Sequence, residues 1–376
     1  MKIYSKILIF LLFSHGVLYF FVGGLYDDSN PVKYIKYILV SLFIINLALA
    51  VLLDKSLVMS KSLLIISLTL FALFLVSSCY QLMIGESIFK VFLFFFPLVS
   101  YFCYRNFTLK EFVQILKYVV FLGCVVSIIE WSFLSEISSR FNQSGFRSVS
   151  IFVNPNALGL FMCLALSLIL FFEVTNIIHK AYWLLIGGVP IFLSGSATGY
   201  ACFIFISLIC TYQVVTKLNM FKLSQFGWIC LFTAIFLVVI LGNFYVNIAN
   251  VDFQIGSREF SLNSFFSRLD YLRVFYSELD QCFFFPMVCN KSLYADNALV
   301  FSWIILGAIP ALVLLLLSLY PIVISGLNKS PYYYFSFFCV VALGSLTANV
   351  LNIWPISYMF WIVYGYFNQY LKERLQ

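Results

Sequence analysis

The dominant pattern along the chain is a repetition of long apolar segments separated by short polar connections. Read in windows of about 19 residues, these segments have the length and hydropathy of membrane-spanning helices. They predict about twelve transmembrane helices, at residues 7–25, 37–53, 62–84, 88–104, 115–134, 151–172, 181–194, 199–216, 226–248, 298–322, 332–350 and 353–370. We therefore expect an all-α polytopic integral membrane protein, in which residues 1–376 form a single membrane domain.

Two parts of the pattern differ from this regular alternation. Residues 249–297 form a long polar stretch, which predicts one large periplasmic loop. Within it, apolar residues from Leu262 to Leu279 recur at steps of three and four, as in an amphipathic helix lying on a membrane surface. The seventh and eighth segments are short and share a small-residue turn, Ser194 to Gly199, so both a full hairpin and a re-entrant pair fit them.

Composition and charge agree with a membrane protein. Hydrophobic residues make up 63% of the 376 residues and charged residues only 10%, too few to cover the surface of a soluble domain. The net charge of +7 comes mainly from basic residues in short connections, which indicates membrane topology and not a nucleic-acid partner. The positive-inside rule places both termini in the cytoplasm, with the first segment kept as a signal anchor.

The polar residues expected outside the membrane include several arginines. Arg147 lies just before the Asn154-Pro155-Asn156 sequence at the start of the sixth segment, and the long loop contains Arg258, Arg268 and Arg273. Arginine donates paired hydrogen bonds to phosphate and keeps its charge, so converging arginines can bind pyrophosphate. The simpler alternative is that these arginines only meet lipid headgroups.

Other candidate groups are few. We expect His15 to be a neutral histidine satisfied against a neighbouring helix, and Glu130 either to face a cavity or, as the favoured interpretation, to reach outward beside Trp131. Cys282 and Cys289 could pair in an oxidising compartment or remain free thiols. His15 and His179, the only histidines, are far apart, so the sequence predicts no metal site; nor does a phosphate-binding glycine motif occur.

The order of these motifs resembles the bacterial O-antigen polymerase and O-antigen ligase superfamily. The resemblance covers roughly residues 140–320 and rests on short motifs in a fixed order, which are Arg147, Asn154-Pro155-Asn156 to Gly159, the Ser194–Gly199 turn, Ser267-Arg268 to Arg273, and Asp296-Asn297 to Gly307. It implies glycosyl transfer from an undecaprenyl-pyrophosphate-linked glycan to a lipid-linked repeat unit at the periplasmic face of the bacterial inner membrane, without metal or cofactor.

The same resemblance assigns roles to residues. Arg147, Arg268 and Asp296 are the expected catalytic residues, while Arg273, Arg258, Asn156 and Asn297 are expected to bind substrate. The arginines would stabilise the leaving pyrophosphate, and Asp296 would act as general base, with Asp270 and Glu278 as alternatives. Asp296 could equally cap the following helix.

One departure from the superfamily bears on these roles. Many members have an arginine in the hairpin turn where this chain has Ala197, so one phosphate ligand is missing or comes from Arg258 or Arg140. No histidine occurs in the predicted external loops, which favours a polymerase over a ligase. Membrane lipids, a chain-length regulator and a flippase of the same pathway are the implied partners. The remaining alternative is that the chain is itself a flippase or transporter of lipid-linked oligosaccharide, although no internal repeat supports this.

Overall fold

A computed structural model describes most of the chain. The described residues are 2–18, 32–53, 61–83, 89–134, 147–152, 154–172, 176–216, 227–229, 252–255, 258–261, 297–327, 331–346 and 348–375.

Helices make up nearly all of this described part. They are α1 (Lys2–Ser14), α2 (Val32–Leu53), α3 (Lys61–Met83), α4 (Phe89–Phe95) with a 3₁₀ continuation (Phe96–Arg105), α5 (Leu109–Leu134), α6 (Pro155–Phe172), α7 (Ile177–Ser194), α8 (Ala197–Thr216), α9 (Ala298–Leu306), α10 (Ala308–Leu327), α11 (Tyr332–Ser345) and α12 (Ile356–Leu375). The predicted segment at 226–248 lies almost entirely outside the described residues.

The helices have the character of a polytopic membrane protein. Five helical stretches in the described part are long and apolar enough to cross a membrane, and these are Leu109–Phe133, Pro155–Phe172, Ile177–Ser194, Ala197–Val214 and Ala308–Ser325. The third and fourth stretches, in α7 and α8, form the hairpin for which the sequence allowed both a full and a re-entrant form. Each arm has 18 residues or more and is long and apolar enough to cross a membrane, which agrees with a full hairpin.

Helix α6 lies at the centre of the bundle. It packs against α5, α7, α8, α11 and α12, and 89% of it is buried within the protein. Two glycines allow the backbones of α6 and α8 to approach each other closely. A Cβ atom on Gly159 of α6 would come within 3.0 Å of Ser194 Oγ, and one on Gly199 of α8 would lie 3.1 Å from the Cα of Gly159. Any larger residue at either position would push the two backbones apart.

Two glutamates of α5 make polar contacts toward opposite ends of the bundle. At the Lys6 end, Lys6 at the start of α1 forms an ion pair with Glu111 at the start of α5. At the Arg147 end, Glu130 near the end of α5 contacts residues 148–150. Glu111 and Glu130 are 19 helical residues apart, so about 28 Å separates the two ends.

A small hairpin was not predicted. Strand β1 (Asp252–Ile255) pairs with β2 (Arg258–Ser261) in antiparallel register, with Ile255 opposite Arg258. The two intervening residues are Gly256 and Ser257, a composition typical of two-residue β-turns, and this signal could have revealed the hairpin. The amphipathic helix predicted between Leu262 and Leu279 lies outside the described residues.

Candidate functional site

The segment before α6 is not helical, yet it is buried inside the bundle. Ile151 and Phe152 are fully or almost fully buried, and Ser150 adopts a left-handed backbone conformation with φ of 48°. Backbone without regular structure is tolerated inside a membrane protein only when its polar groups find partners. The Ser148 N–H donates to Leu193 O at 2.9 Å, and the Ser150 hydroxyl donates to Gly123 O at 2.7 Å.

Glu130 supplies the remaining partners of this segment. One of its carboxylate oxygens accepts hydrogen bonds from the Ser148 hydroxyl at 2.6 Å, the Val149 N–H at 3.0 Å and the Ser150 N–H at 2.8 Å. The side chain is buried, with 7% of its surface exposed. The favoured sequence interpretation, in which Glu130 reaches outward beside Trp131, is therefore wrong. The carboxylate points inward because the N–H groups of Val149 and Ser150 lie outside a helix and need an acceptor there.

The Asn-Pro-Asn sequence begins helix α6. Asn154 caps the helix, since its side-chain oxygen accepts from the Asn156 N–H at 2.8 Å. Pro155 occupies the first helical position. An N–H group at this position has no acceptor within the helix, so proline, which lacks the N–H, loses no hydrogen bond there. The side chain of Asn156 is then left to face Arg147, and its oxygen accepts from the arginine Nη2 at 2.8 Å.

Arg147 connects α6 with the tip of the α7–α8 hairpin. Its Nε donates to Ser194 O at 2.9 Å, and its Nη2 also lies 3.4 Å from Gly195 O. All three of these acceptors are neutral oxygens, and together they orient the guanidinium. The structure thus brings Arg147 and the nearby Asn-Pro-Asn helix start together with the Ser194–Gly199 turn, which lies 47 residues after the arginine.

The hairpin tip is built from small residues for local reasons. Gly195 ends α7 in a left-handed conformation with φ of 55°, which glycine adopts without strain. Ser196 begins α8, where its hydroxyl oxygen accepts from the Gly199 N–H at 3.1 Å. The N-terminal ends of α6 and α8 consequently lie side by side next to Arg147.

Asn297 acts as a helix cap. Its side-chain oxygen accepts from the N–H groups of Leu299 and Val300 at the start of α9, and its amide donates to Leu346 O at 3.0 Å. The sequence offered Asp296 for the capping role, but the cap is one residue later. Asp296 itself lies outside the described residues. The substrate-binding role of Asn297 remains a prediction.

His15 is buried near the Arg147 end of the bundle. Its ring packs edge-on against Trp354, whose indole N–H lies 3.3 Å from His15 Nδ1. Gly16, the next residue, lies against the backbone of Ile151. The expected packing against a neighbouring element is therefore present. Its Nε2 is buried and has no hydrogen-bond partner among the described residues, so the expectation that His15 is fully satisfied is wrong.

The other predicted site residues are not placed by the structure. Arg268, Arg273 and Asp296 lie outside the described residues, as do the alternatives Arg140, Asp270 and Glu278 and the pair Cys282 and Cys289. For Arg258, only its backbone position in β2 is described. Among the described residues, no three His, Cys, Asp or Glu side chains are grouped so that they could hold a metal ion.

The assembled residues favour binding of an anion. The starts of α6 and α8 carry the partial positive charge of helix N-termini. The guanidinium of Arg147 adds a full charge at the same place, on a half-buried side chain whose orientation is fixed by three acceptors. No family model matches this chain, and a comparison with curated proteins finds no relative.

Proposed function

We propose that the chain is a polymerase of lipid-linked oligosaccharide repeat units. It would transfer a growing glycan from undecaprenyl pyrophosphate to a second lipid-linked unit on the periplasmic side of the bacterial inner membrane. The observation that carries this proposal is the oriented guanidinium of Arg147 beside two helix N-termini. Pyrophosphate is the anion that such a donor presents at a membrane surface.

The proposed mechanism requires little chemistry from the protein. Breaking the bond between the sugar and the pyrophosphate places negative charge on the leaving group, and fixed positive groups stabilise this charge without reorganising. Arg147 would serve this purpose together with Arg268 and Arg273 from the long loop. A carboxylate, with Asp296 as first candidate, would accept the proton of the attacking sugar hydroxyl. Asn156 would hold Arg147 in position as well as contact substrate.

The orientation and the number of spans belong to this proposal too. The Arg147 end would face the periplasm and the Lys6 end the cytoplasm, with about twelve spans and both termini inside. The clustering of basic residues toward the Lys6 end supports this orientation.

A flippase of lipid-linked oligosaccharide is the second candidate, because the described helices contain interruptions of the kind found in transporters. The chain is non-helical at residues 147–152 and at Asn154, and α9 and α10 are separated at Gly307, which has φ of 93°. A ligase that transfers finished glycan to the lipid core is the alternative within the same superfamily.

The proposal is tested by deleting the gene in its own host and complementing with variants. Accumulation of single lipid-linked repeat units at the outer face indicates the polymerase. Full-length polymer that never reaches the lipid core would indicate the ligase, and repeat units retained on the cytoplasmic side would indicate the flippase.

Purified protein then tests the site. Wild-type protein supplied with undecaprenyl-pyrophosphate-linked repeat units should produce longer glycans, and Arg147→Ala should reduce the rate by about 10²–10³-fold, as expected for the loss of one charge-stabilising donor. Arg147→Lys keeps the charge but not the forked geometry, and should recover only part of the rate. Lys110→Gln, an exposed change near the Lys6 end, is the control. Normal polymerisation by a well-folded Arg147→Ala protein would contradict the proposal.

A further inference from the structure

An apolar crevice opens on the side of the bundle between α3, α4 with its 3₁₀ continuation, α10 and α12. Its volume is about 320 Å³, and its walls are mainly aromatic, with Phe74, Phe92, Phe95 and Trp361 among them. The walls continue onto the outer surface of the bundle, because Phe71 and Phe96 line the crevice and are 57% and 39% exposed. In a membrane, a crevice with this lining faces hydrocarbon chains.

The polar boundary of the crevice lies toward the Lys6 end. Tyr101 and Asn368 line it there, and the Asn368 amide donates to the Tyr101 hydroxyl at 3.3 Å. The ring of Tyr104 lies 5.7 Å from that of Tyr101, and the Arg105 Nε lies 3.5 Å from the Tyr104 hydroxyl. Arg105 therefore stands one aromatic ring beyond the wall of the crevice.

Arg105 carries a charge that the described protein does not balance. Within the described part of the chain, no carboxylate forms an ion pair with it, and its buried Nη1 has no acceptor within hydrogen-bonding distance. The side chain is half-buried, so its hydrogen-bonding capacity is only partly met by protein. The Arg105 guanidinium, which no described carboxylate pairs, thus lies one aromatic ring beyond the polar boundary of an apolar crevice. This arrangement matches a ligand with a hydrocarbon chain and an anionic head.

We propose that this crevice is a binding site for an anionic glycerophospholipid of the surrounding bilayer. One acyl chain lies among Phe74, Phe92, Phe96 and Trp361, and the phosphate is bound by Arg105 with Tyr104 beside it. The inference is independent of the proposed enzymatic function, because it uses neither Arg147 nor any residue near it.

Trp361 lines the crevice and provides the measurement. Full-length protein is reconstituted in nanodiscs of phosphatidylcholine to which phosphatidylglycerol with brominated acyl chains is added, since bromine quenches indole fluorescence on contact. The part of the quenching that disappears in Trp361→Phe reports occupancy of the crevice. Brominated phosphatidylglycerol should quench this part at lower mole fraction than brominated phosphatidylcholine does.

Matched variants test the two halves of the site. Arg105→Gln should weaken the phosphatidylglycerol preference about fivefold, the usual effect of one basic residue near anionic lipid. Arg105→Lys should keep most of it. Lys110→Gln removes the same charge from an exposed position nearby and should leave the preference unchanged. Leu317→Phe narrows the crevice without adding a second indole and should reduce the Trp361-dependent quenching by both lipids.

Three results would overturn the proposal. One is equal quenching by the two lipids that Arg105→Gln does not alter, since the crevice would then contain unselected bilayer lipid. Another is an equal loss of preference in Lys110→Gln, which would reflect general surface charge. The third is displacement of phosphatidylglycerol by an equimolar amount of undecaprenyl phosphate, which would make the crevice a site for the polyprenyl carrier.

Discussion

Two glutamates of α5, one toward each end of the bundle, are used in opposite ways. At the Lys6 end, Glu111 and Lys6 form a partly exposed pair, with 37% and 33% of their side chains accessible. At the Arg147 end, Glu130 is buried and holds two backbone N–H groups and a serine hydroxyl of a non-helical segment. The first glutamate joins two helices and accepts from the exposed Thr108 N–H at 2.7 Å, a donor that water can also satisfy. The second allows a stretch of backbone to exist where no helix satisfies it.

This difference indicates where the molecule is specialised. An exposed ion pair contributes little because water is a good substitute for either partner. A buried donor that loses its acceptor is left without any substitute. The Arg147 end thus contains the contacts that are hardest to replace, and it also contains the residues that orient a cation toward two helix N-termini.

The largest effect that would test this comparison is expected from Glu130→Ala. The change leaves the N–H groups of Val149 and Ser150 buried without an acceptor, so the free energy of unfolding should fall by about 2–5 kcal/mol. Thermal unfolding of purified protein in detergent measures the change, with the exposed neighbour Ser132→Ala as control. A Glu130→Ala protein as stable as the control would show that the buried segment does not depend on this carboxylate.

Gly159→Ala should have the next largest effect. The new methyl group would lie 2.9 Å from Ser196 Cβ and 3.0 Å from Ser194 Oγ, so the hairpin tip must move away from α6, at a cost of about 1–3 kcal/mol. Its movement would also pull Ser194 O away from Arg147.

The control for this change is Gly188→Ala in α7, whose methyl group would meet only the ring of Phe203, nearest at 3.2 Å. That ring can shift slightly, so little loss of stability is expected. If both variants unfold at the same temperature, the close approach of α6 and α8 is not the constraint that we describe.

A smaller effect is expected from Asn297→Ala, which removes the cap of α9 and should reduce the free energy of unfolding by about 1 kcal/mol. Asn297→Ser restores a capping oxygen but lacks the amide group that donates to Leu346 O. A purely structural role predicts that the serine variant recovers most of the stability and activity together. Recovery of thermal stability without recovery of glycan polymerisation would instead support a contact between Asn297 and substrate.

The smallest effect should come from Lys6→Gln at the opposite end. The ion pair with Glu111 is partly exposed, so its loss should change the free energy of unfolding by less than about 1 kcal/mol. The difference from wild type should shrink further as sodium chloride screens the pair. A loss as large as that of Glu130→Ala, unaffected by salt, would remove the distinction between the two ends.

The sequence predicted the helices better than the site. Helices depend on neighbouring residues in the chain, whereas the site depends on contacts between residues far apart in the chain. Apolar length is a local property, so α5 to α8 were expected close to where they occur. The cap at Asn154 and the turn at Gly195 are also local. By contrast, the inward turn of Glu130 depends on donors from residues 148–150, which only the folded chain brings to it.

The same reasoning explains what was missed at His15 and Asn297. Both have partners far along the chain, Trp354 for the histidine and Leu346 for the asparagine. A single sequence contains no signal for such pairings. Arg147 was found because its residue type is unusual in that setting, whereas two of the three oxygens that orient it, Ser194 O and Gly195 O, belong to backbone atoms, which any residue could supply.

The connection between Arg147 and the hairpin tip has a consequence for how the chain is made. The acceptors at Ser194 and Gly195 are synthesised 47 and 48 residues after the arginine that needs them. When α6 enters the membrane, the hydrogen-bond acceptors of Arg147 and of the Ser148 N–H in α7 and its turn have therefore not yet been synthesised. Assembly of this end cannot be completed until the whole of α7 has emerged, so ribosome stalling within α7 should leave a nascent chain that quality-control proteases recognise.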